Sequence, residues 1–457
     1  MERPPSSSDA RGETIPDHEF NTDDQISELS TDLLLKISST LSTEEIVRTS
    51  VMSKRWMDVW KETSCLLLDL RKIPKASTVD IAKSVTKVIK DHLGPLERCT
   101  ISHYSRQCEG KGVESWIQSL THQKHTKDLT LENHFEGKSE SRITLNLPPG
   151  TLSHPDLESL SLSCYTLEAP HAFNNCWNLK RLNLDGILAE IGVMNEVLVS
   201  CSSLEALTLR IIFYTSRGVL KIGNPKLKFL YLSCSMIDGV EVSTHSLDIL
   251  SIGSLVCVFK NFIIANPRLQ QFRRSFWRRG AYFAHTTYDI TCSNQEKKSI
   301  GHELMTSGSG DFVKTFSGIS LGVDMTNTKE VEMLKEVLFA WPEELGEIEI
   351  FFKDDNSPMQ KGESSTGGTH KKFCEDTKQL ANTGFHASTV WLMNFSGSQE
   401  EFELASYFIT QGIVVWCMEI VLPSSVSPSK KLELEAVVAK LKKLPKRHKG
   451  LGIQIWY

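Results

Sequence analysis

The sequence predicts an α/β fold, a stack of short repeats led by a small helical cluster. Three observations carry that prediction. A phrase of the form L-x-x-L-x-L recurs five times in the 457 residues, with first-leucine offsets of 22, 25, 23 and 20. A compact helical pattern with two tryptophans stands ahead of the first copy. Apolar residues make up 40% of the chain and charged residues 23%, ordinary values for a folded chain. At about 150 residues per domain the length alone would suggest roughly three units, but a repeat array grows without adding domains.

Composition excludes several classes. Lys+Arg 51 against Asp+Glu 56 gives a net charge of −5, which supplies no bulk field for nucleic acid. The longest apolar run, Ile413 to Leu422, is broken by Glu419 and is far too short to span a membrane. The N-terminus has no secretory apolar core, so a nuclear or cytoplasmic address is expected. The 11 cysteines include no C-x-x-C pair, and reduced structural thiols are expected rather than a zinc knuckle or disulfide scaffold.

In chain order, residues 1–23 are expected to form a disordered tail. They carry three prolines and the run Ser6-Ser7-Ser8, a composition that cannot offset its ordering entropy. The segment 24–65 reads as three short helices. Leu33, Leu34, Ile37 and Leu41 share one helical face. Ser42-Thr43-Glu44-Glu45 is a capping box, with Ser42 and Glu45 satisfying each other's amides, and it starts a helix carrying Ile46, Val47 and Val51. Trp56 and Trp60 lie one turn apart on a third helix. So few residues cannot bury two tryptophans alone, so the cluster needs a partner.

The repeats follow over 66–345. The full phrases begin at Leu157, Leu179, Leu204, Leu227 and Leu247, with weaker copies at Leu96/Cys99/Ile101, Leu129/Leu131 and Leu269/Phe272. Their period is that of leucine-rich repeats. Two leucines two residues apart on a strand point the same way, and only stacked neighbours can bury that face. The chain returns on the convex side through helices or loops, as at Val193–Cys201. Residues 280–311 are not readable by this pattern, and 353–384, rich in Lys, Gly, Ser, Thr and Asp, read as a flexible loop. Strand phrases return at Leu345/Ile348/Ile350, Ala387/Val390/Leu392, Val415/Met418/Ile420 and Ile453/Ile455, with helices at Lys329–Ala340, Glu400–Ile409 and Lys431–Leu444. The predicted C-terminal unit, 385–457, caps the stack.

The cluster at 24–65 resembles a plant-type F-box. The matching residues are Ile26-Ser27-Glu28-Leu29, Asp32 to Ile37, and Thr49 to Trp56 with Trp60. Val197–Leu209 and Asn266–Phe272 are similar to plant F-box leucine-rich repeats. The stretch from Trp391, with Phe395-Ser396-Gly397, Glu403-Leu404-Ala405 and Met418-Glu419-Ile420, resembles the FBD domain. The resemblance implies an F-box, a repeat solenoid and FBD-like capping repeats. It also implies a non-catalytic substrate receptor of an SCF-type ubiquitin ligase. A Skp-type adaptor, and through it a cullin, would dock on Ile26, Leu29, Leu33, Leu34, Ile37, Leu41, Ile46, Val51, Met52, Trp56 and Trp60. Three positions depart from the family: Ser30 and Ser42 stand where prolines are usual, and Ser38 where an aliphatic is usual.

A protein target would sit on the concave face, which the strand alternation assigns to Ser161, Arg181, Asn183, Asp185, Thr208, Arg210, Phe229, Tyr231 and Ser251. That set mixes polar and aromatic groups with little net charge, which suits a protein partner. The rival reading is an adaptor-independent repeat scaffold. Competing chemical signals are weak. Gly137-Lys138-Ser139 lacks the glycine a phosphate loop needs, since Glu132 holds that position, and Ser309 lacks the context of a nucleophile elbow. His122 and His125 have no third ligand nearby in sequence, so no metal or other cofactor is expected. The Arg273–Arg279 cluster reads as a capping strand ahead of nucleic-acid contact. Lys442–Lys449 reads equally as a nuclear-localisation run or as a helix end complementing the macrodipole.

Overall fold

The computed structural model describes residues 29–49, 51, 56–73, 80–108, 112–135, 145–147, 152, 154–214, 217–235, 237–255, 257, 259–272, 285–292, 299–307, 318–341, 344–353 and 385–457. The predicted tail, Ile26, Met52, Gly137–Ser139, Arg273–Arg279, Ser309 and 354–384 lie outside them.

The helical cluster consists of α1 (Thr31–Ser38), α2 (Thr43–Thr49) and α3 (Val59–Glu62). Ser30 caps α1 by accepting from the Leu33 amide. The capping box forms as expected: the Ser42 amide donates to Glu45 Oε2 at 2.8 Å, and the Glu45 amide donates to Ser42 Oγ at 3.3 Å. Both serines thus replace a helix-starting proline with a hydrogen bond. Leu34, Trp56 and Val59 form the small core of the cluster, and Leu29 and Leu35 pack against it.

This cluster is joined to the sheet rather than tethered to it. Strand β1 (Cys65–Asp69) follows α3 directly and pairs in parallel with β2 (Arg98–Tyr104). The Leu67 amide donates to Thr43 Oγ1 at 2.8 Å, and the Leu93 and Gly94 amides donate to the Lys61 carbonyl. A Cβ on Gly94 would lie 2.8 Å from the Glu62 carbonyl oxygen, so only glycine permits that approach. Neither β1 nor α4 (Ile81–Asp91), which lies between β1 and β2, was legible as a repeat.

The repeat strands then follow side by side: β3 (Asp128–His134), β5 (Ser159–Ser163), β7 (Arg181–Ala189), β8 (Ala206–Phe213), β10 (Phe229–Ser235) and β12 (Ile249–Leu255), all parallel. Short β4 (Leu145–Asn146) and β6 (Tyr165–Leu167) attach beside β7. Leu129, Leu160, Leu182, Leu207, Leu230 and Leu250 align in one row across the ladder and are buried in one core. Helices α5 (Gly112–Gln118) and α6 (Ile191–Ser200) cover that core, as expected for the returns. Later returns instead form strands β9 (Val219–Ile222), β11 (Gly239–Val242) and β13 (Phe262–Ile264), a separate parallel sheet whose Leu220, Ile222, Val240 and Val242 face the same core. Buried Asn224 and Asn266 each donate to two carbonyls of the preceding turn, satisfying backbone that the returns leave unpaired.

The weak copy at Leu269/Phe272 ends in a 3-10 turn, Gln270–Phe272. The next strand, β14 (His285–Asp289), pairs with β12 antiparallel. The rest, β15 (Gly318–Val323), β16 (Glu344–Phe352), β17 (His386–Met393), β18 (Val414–Val421) and β19 (Gly452–Trp456), run parallel to β14 and extend the same sheet. Parallel crossovers are right-handed, so reversing strand direction while growing sideways moves the crossovers to the opposite face. The registers show it. The leucine row continues as Thr287, Ser320, Glu349, Trp391, Glu419 and Gln454. The other row, Ser161, Asn183, Thr208, Tyr231 and Ser251, continues as Thr286, Ile319, Ile348, Val390, Met418 and Ile453. Helices α7 (Ile300–Thr306), α8 (Thr328–Ala340), α9 (Gln399–Thr410) and α10 (Pro428–Lys443) supply the second core on that side. The helices near 329–340, 400–409 and 431–444 are present, but they cover the face opposite to the one the sequence pattern assigned.

A charge network clamps the joint. Arg268 reaches Asp248 at 2.6 Å and Asp289 at 2.8 Å, while Lys353 reaches Asp289 at 3.2 Å and Glu330 at 3.0 Å. Burial pushes the Asp248 carboxyl up, against Arg268 and Lys228. Lys353, expected at the start of a loop, is instead fixed here. Arg268→Ala should leave Asp248 and Asp289 uncompensated and cost about 3 kcal/mol, read as a lower denaturation midpoint. A second prediction concerns pH. His103 is buried against Tyr165, whose hydroxyl lies 2.6 Å from Nε2, and against Cys108. Burial lowers its pKa from 6.5 to about 4. The unfolded chain binds this proton first, so the stability His103 contributes is present above pH 6.5 and lost as pH falls toward 4. His103→Gln should remove roughly 3 kcal/mol of that acid sensitivity, measured by melts across this window.

Candidate functional site

Two surfaces stand out. The first is on the helical cluster. Leu33 and Ile37 lie one turn apart on α1, Val47 and Val51 are four residues apart, and Met57 precedes α3; all five side chains are exposed, Val51 to 90%. Large apolar groups concentrated on so small a unit are unusual for a surface with no partner. The Arg48–Glu44 and Lys72–Glu44 ion pairs lie on the neighbouring helix surface.

The structure divides the predicted docking residues. Leu33, Ile37 and Val51 are exposed; Leu29, Leu41 and Trp60 are half-buried. Leu34, Ile46 and Trp56 are buried and cannot present their side chains to a partner. Their place is inside: one helical face must fill the cluster's core, and the i, i+3, i+4 pattern does not say which apolar residue turns inward. Val47 and Met57 were missed, although Val47 and Val51 share the spacing of Leu33 and Ile37. Ser38 is fully buried and its hydroxyl has no hydrogen-bond partner among the described residues. An aliphatic there would avoid that desolvation cost.

The second surface is the open face of β2, β3, β5, β7 and β8. Its central row is Thr100, Thr130, Ser161, Asn183 and Thr208. Its flanking rows carry charge: Arg98 pairs with Asp128 at 3.2 Å, and Arg210 reaches both oxygens of Asp185 at 3.1 and 3.2 Å. Ser102 donates to Glu132 at 2.7 Å, and Asn183 donates to Ser161 at 3.0 Å. Each of these bonds spans neighbouring strands. Arg181, Asn183, Asp185, Thr208 and Arg210 lie on this face as the strand alternation predicts.

Phe229, Tyr231 and Ser251 do not. All three are buried, because the reversed second half brings α7 across β10 and β12. A Cβ on Gly301 of α7 would lie 2.8 Å from Ile249 Cδ1. Ser251 Oγ is 2.9 Å from Thr286 Oγ1, and Glu303 of α7 approaches Arg181 at 3.7 Å. The open face therefore ends at β8. Sequence reasoning missed its N-terminal half, Arg98, Thr100, Asp128, Thr130 and Glu132, because those repeats carry degenerate phrases.

The basic run after α10 is partly built into the fold. Lys446 Nζ donates to the Leu451 carbonyl, Arg447 donates to the Gln411 carbonyl, and His448 bonds the Gly412 carbonyl. Burial pushes the Cys108 thiol up to about 12 and the Cys176 thiol up to about 11, so neither is a reactive thiolate near neutral pH.

Comparison with known proteins places the chain in a family. Residues 26–67 match the F-box domain, and residues 113–272 match the repeats of the FBD-associated F-box protein At5g56370. The putative F-box protein At1g67390 of Arabidopsis thaliana is 41% identical over 98% of this chain and 95% of its own length. The F-box protein At1g80960 of the same plant is 44% identical over 92% of this chain and 88% of its own. The F-box/FBD/LRR-repeat protein At1g13570, also from Arabidopsis thaliana, is 27% identical over 50% of this chain and 53% of its own. With relatives that similar over nearly its whole length, and with a helical cluster and leucine ladder to match, this chain belongs to the plant F-box/leucine-rich-repeat family, whose members are in general non-catalytic substrate receptors of ubiquitin ligases.

Proposed function

We propose that a Skp-type adaptor docks on the exposed apolar residues Leu33, Ile37, Val47, Val51 and Met57, and that a cullin is engaged through it. The outward set of aliphatics on a cluster already packed and capped is the observation that carries this reading. The open face of β2–β8 then holds a protein target. Its alternating charges and hydroxyls favour a partner of mixed polarity, and the chain itself performs no chemistry. A nuclear or cytoplasmic address fits this role. The exposed Lys442, Lys443 and Lys449 are the part of the basic run free to act as an address signal.

The join between cluster and sheet supports the rival scaffold reading, in which the cluster only caps the ladder. The two separate cleanly. Leu33→Asp with Ile37→Asp in the full chain should lower adaptor recovery by about 100-fold with an unchanged melting temperature, since two apolar contacts of roughly 1.4 kcal/mol each are lost. Trp56→Ala should instead destabilise the chain by about 3–5 kcal/mol. Equal adaptor recovery by the double variant and the natural chain would sink the docking proposal and favour the scaffold.

A further inference from the structure

Outside both surfaces, the corner where two repeats meet gathers three imidazoles and a carboxylate. His122 lies in the short π-helix Ser119–Gln123 and His125 in the turn before β3, while His154 and Asp156 lie in the turn before β5, about thirty residues later in the chain but one strand away in the ladder. One nitrogen or oxygen from each of His125, His154 and Asp156 lies within 4.8 Å of the other two. His125 Nδ1 is 2.8 Å from Asp156 Oδ2, and His154 Nδ1 is 3.8 Å from the same oxygen. The His122 ring stands edge-on to that of His154, with centroids 5.0 Å apart, and the His125 ring stands at 5.5 Å.

We propose that His125, His154 and Asp156 form a three-ligand site, its fourth position open to water, for a divalent transition metal of the zinc class. Nitrogen and carboxylate donors at about 2.0–2.1 Å in a tetrahedron stand about 3.3 Å from one another. The two distances to Asp156 Oδ2, 2.8 and 3.8 Å, bracket that edge, so a small turn of the exposed His125 and Asp156 side chains about the half-buried His154 completes the geometry. His125 takes a backbone φ of 52°, a conformation few side chains adopt, which turns its ring back toward Asp156. A polar cavity of about 290 Å³, lined by Lys127, Pro155, Asp156, Glu158, Asn178 and Lys180, opens beside the corner and gives solvent access. A bound ion would tie the turns of two successive repeats together at the edge of the open face, so it would act on the presentation of that face.

Cobalt(II) titration of the chelator-treated full chain tests this. One equivalent should produce visible d–d bands of tetrahedral intensity without thiolate charge-transfer bands, zinc(II) should abolish them, and either ion should raise the melting temperature. His154→Ala and His125→Asn should each weaken binding by about 100-fold, whereas His245→Ala, at an exposed histidine elsewhere, should leave it unchanged. His125 is 63% exposed and asparagine tolerates its backbone conformation, so that variant folds even if His154→Ala does not. Absence of the bands, bands with thiolate character, or binding that survives His125→Asn would overturn the proposal.

Discussion

The antiparallel pairing of β12 with β14 is the constraint on which the architecture turns. It joins two parallel ladders that grow in one lateral direction with opposite strand polarity. The handedness of crossovers then puts the covering layers on opposite faces. A single hydrophobic row could not run the length of such a sheet, and it does not. At the joint the leucine row becomes polar and the polar row becomes apolar. Both cores meet there, so the ions Arg268, Asp248, Asp289, Lys353 and Glu330 are partly withdrawn from water and must satisfy one another.

The same constraint decides where a partner can sit. The second half lends α7 to the first, and α7 covers β10 and β12. What remains open is the N-terminal half of the ladder, which is the half fused to the helical cluster through β1, Thr43 and the Gly94 contact. The proposed docking surface and the proposed target surface therefore lie at the same end of the molecule, and no linker separates them among the described residues. A receptor that must present its cargo in fixed relation to its docking point needs that arrangement; a freely tethered module would average it away.

Much of this was legible. The period of the leucine phrase gave the ladder, and the matched rows of Leu160, Leu182, Leu207 and Leu230 confirm its register. The capping box gave α2, because its two bonds are local in sequence. What failed was non-local. The strand His285–Asp289 has no leucines, since the leucine row turns polar at its Thr287, between Leu250 and Ser320, so no repeat phrase marked it. Without it the reversal was invisible, and Phe229, Tyr231 and Ser251 were assigned to an open face that α7 covers. Likewise, an apolar helical face names Leu33, Leu34 and Ile37 together, and only packing against Trp56 separates the inward residue from the outward ones. The approach of His154 and Asp156 to His125 was equally hidden, since they come from the next turn of the ladder.

The open face carries one more consequence. Its charged and amide groups are already bonded strand to strand: Arg98 to Asp128, Ser102 to Glu132, Arg210 to Asp185, Asn183 to Ser161. Exposed pairs of this kind contribute under about 1 kcal/mol each to folding. Their larger effect is to hold side chains in one orientation before a partner arrives, which lowers the ordering cost of binding. Net attraction is then weak, because the signs alternate along the ladder. Discrimination must come from partners that match the alternation, since a mismatched one leaves desolvated charges unpaired. In the proposed role, a surface built this way would select by rejection: it would give up long-range steering and gain a steep penalty against the wrong polypeptide.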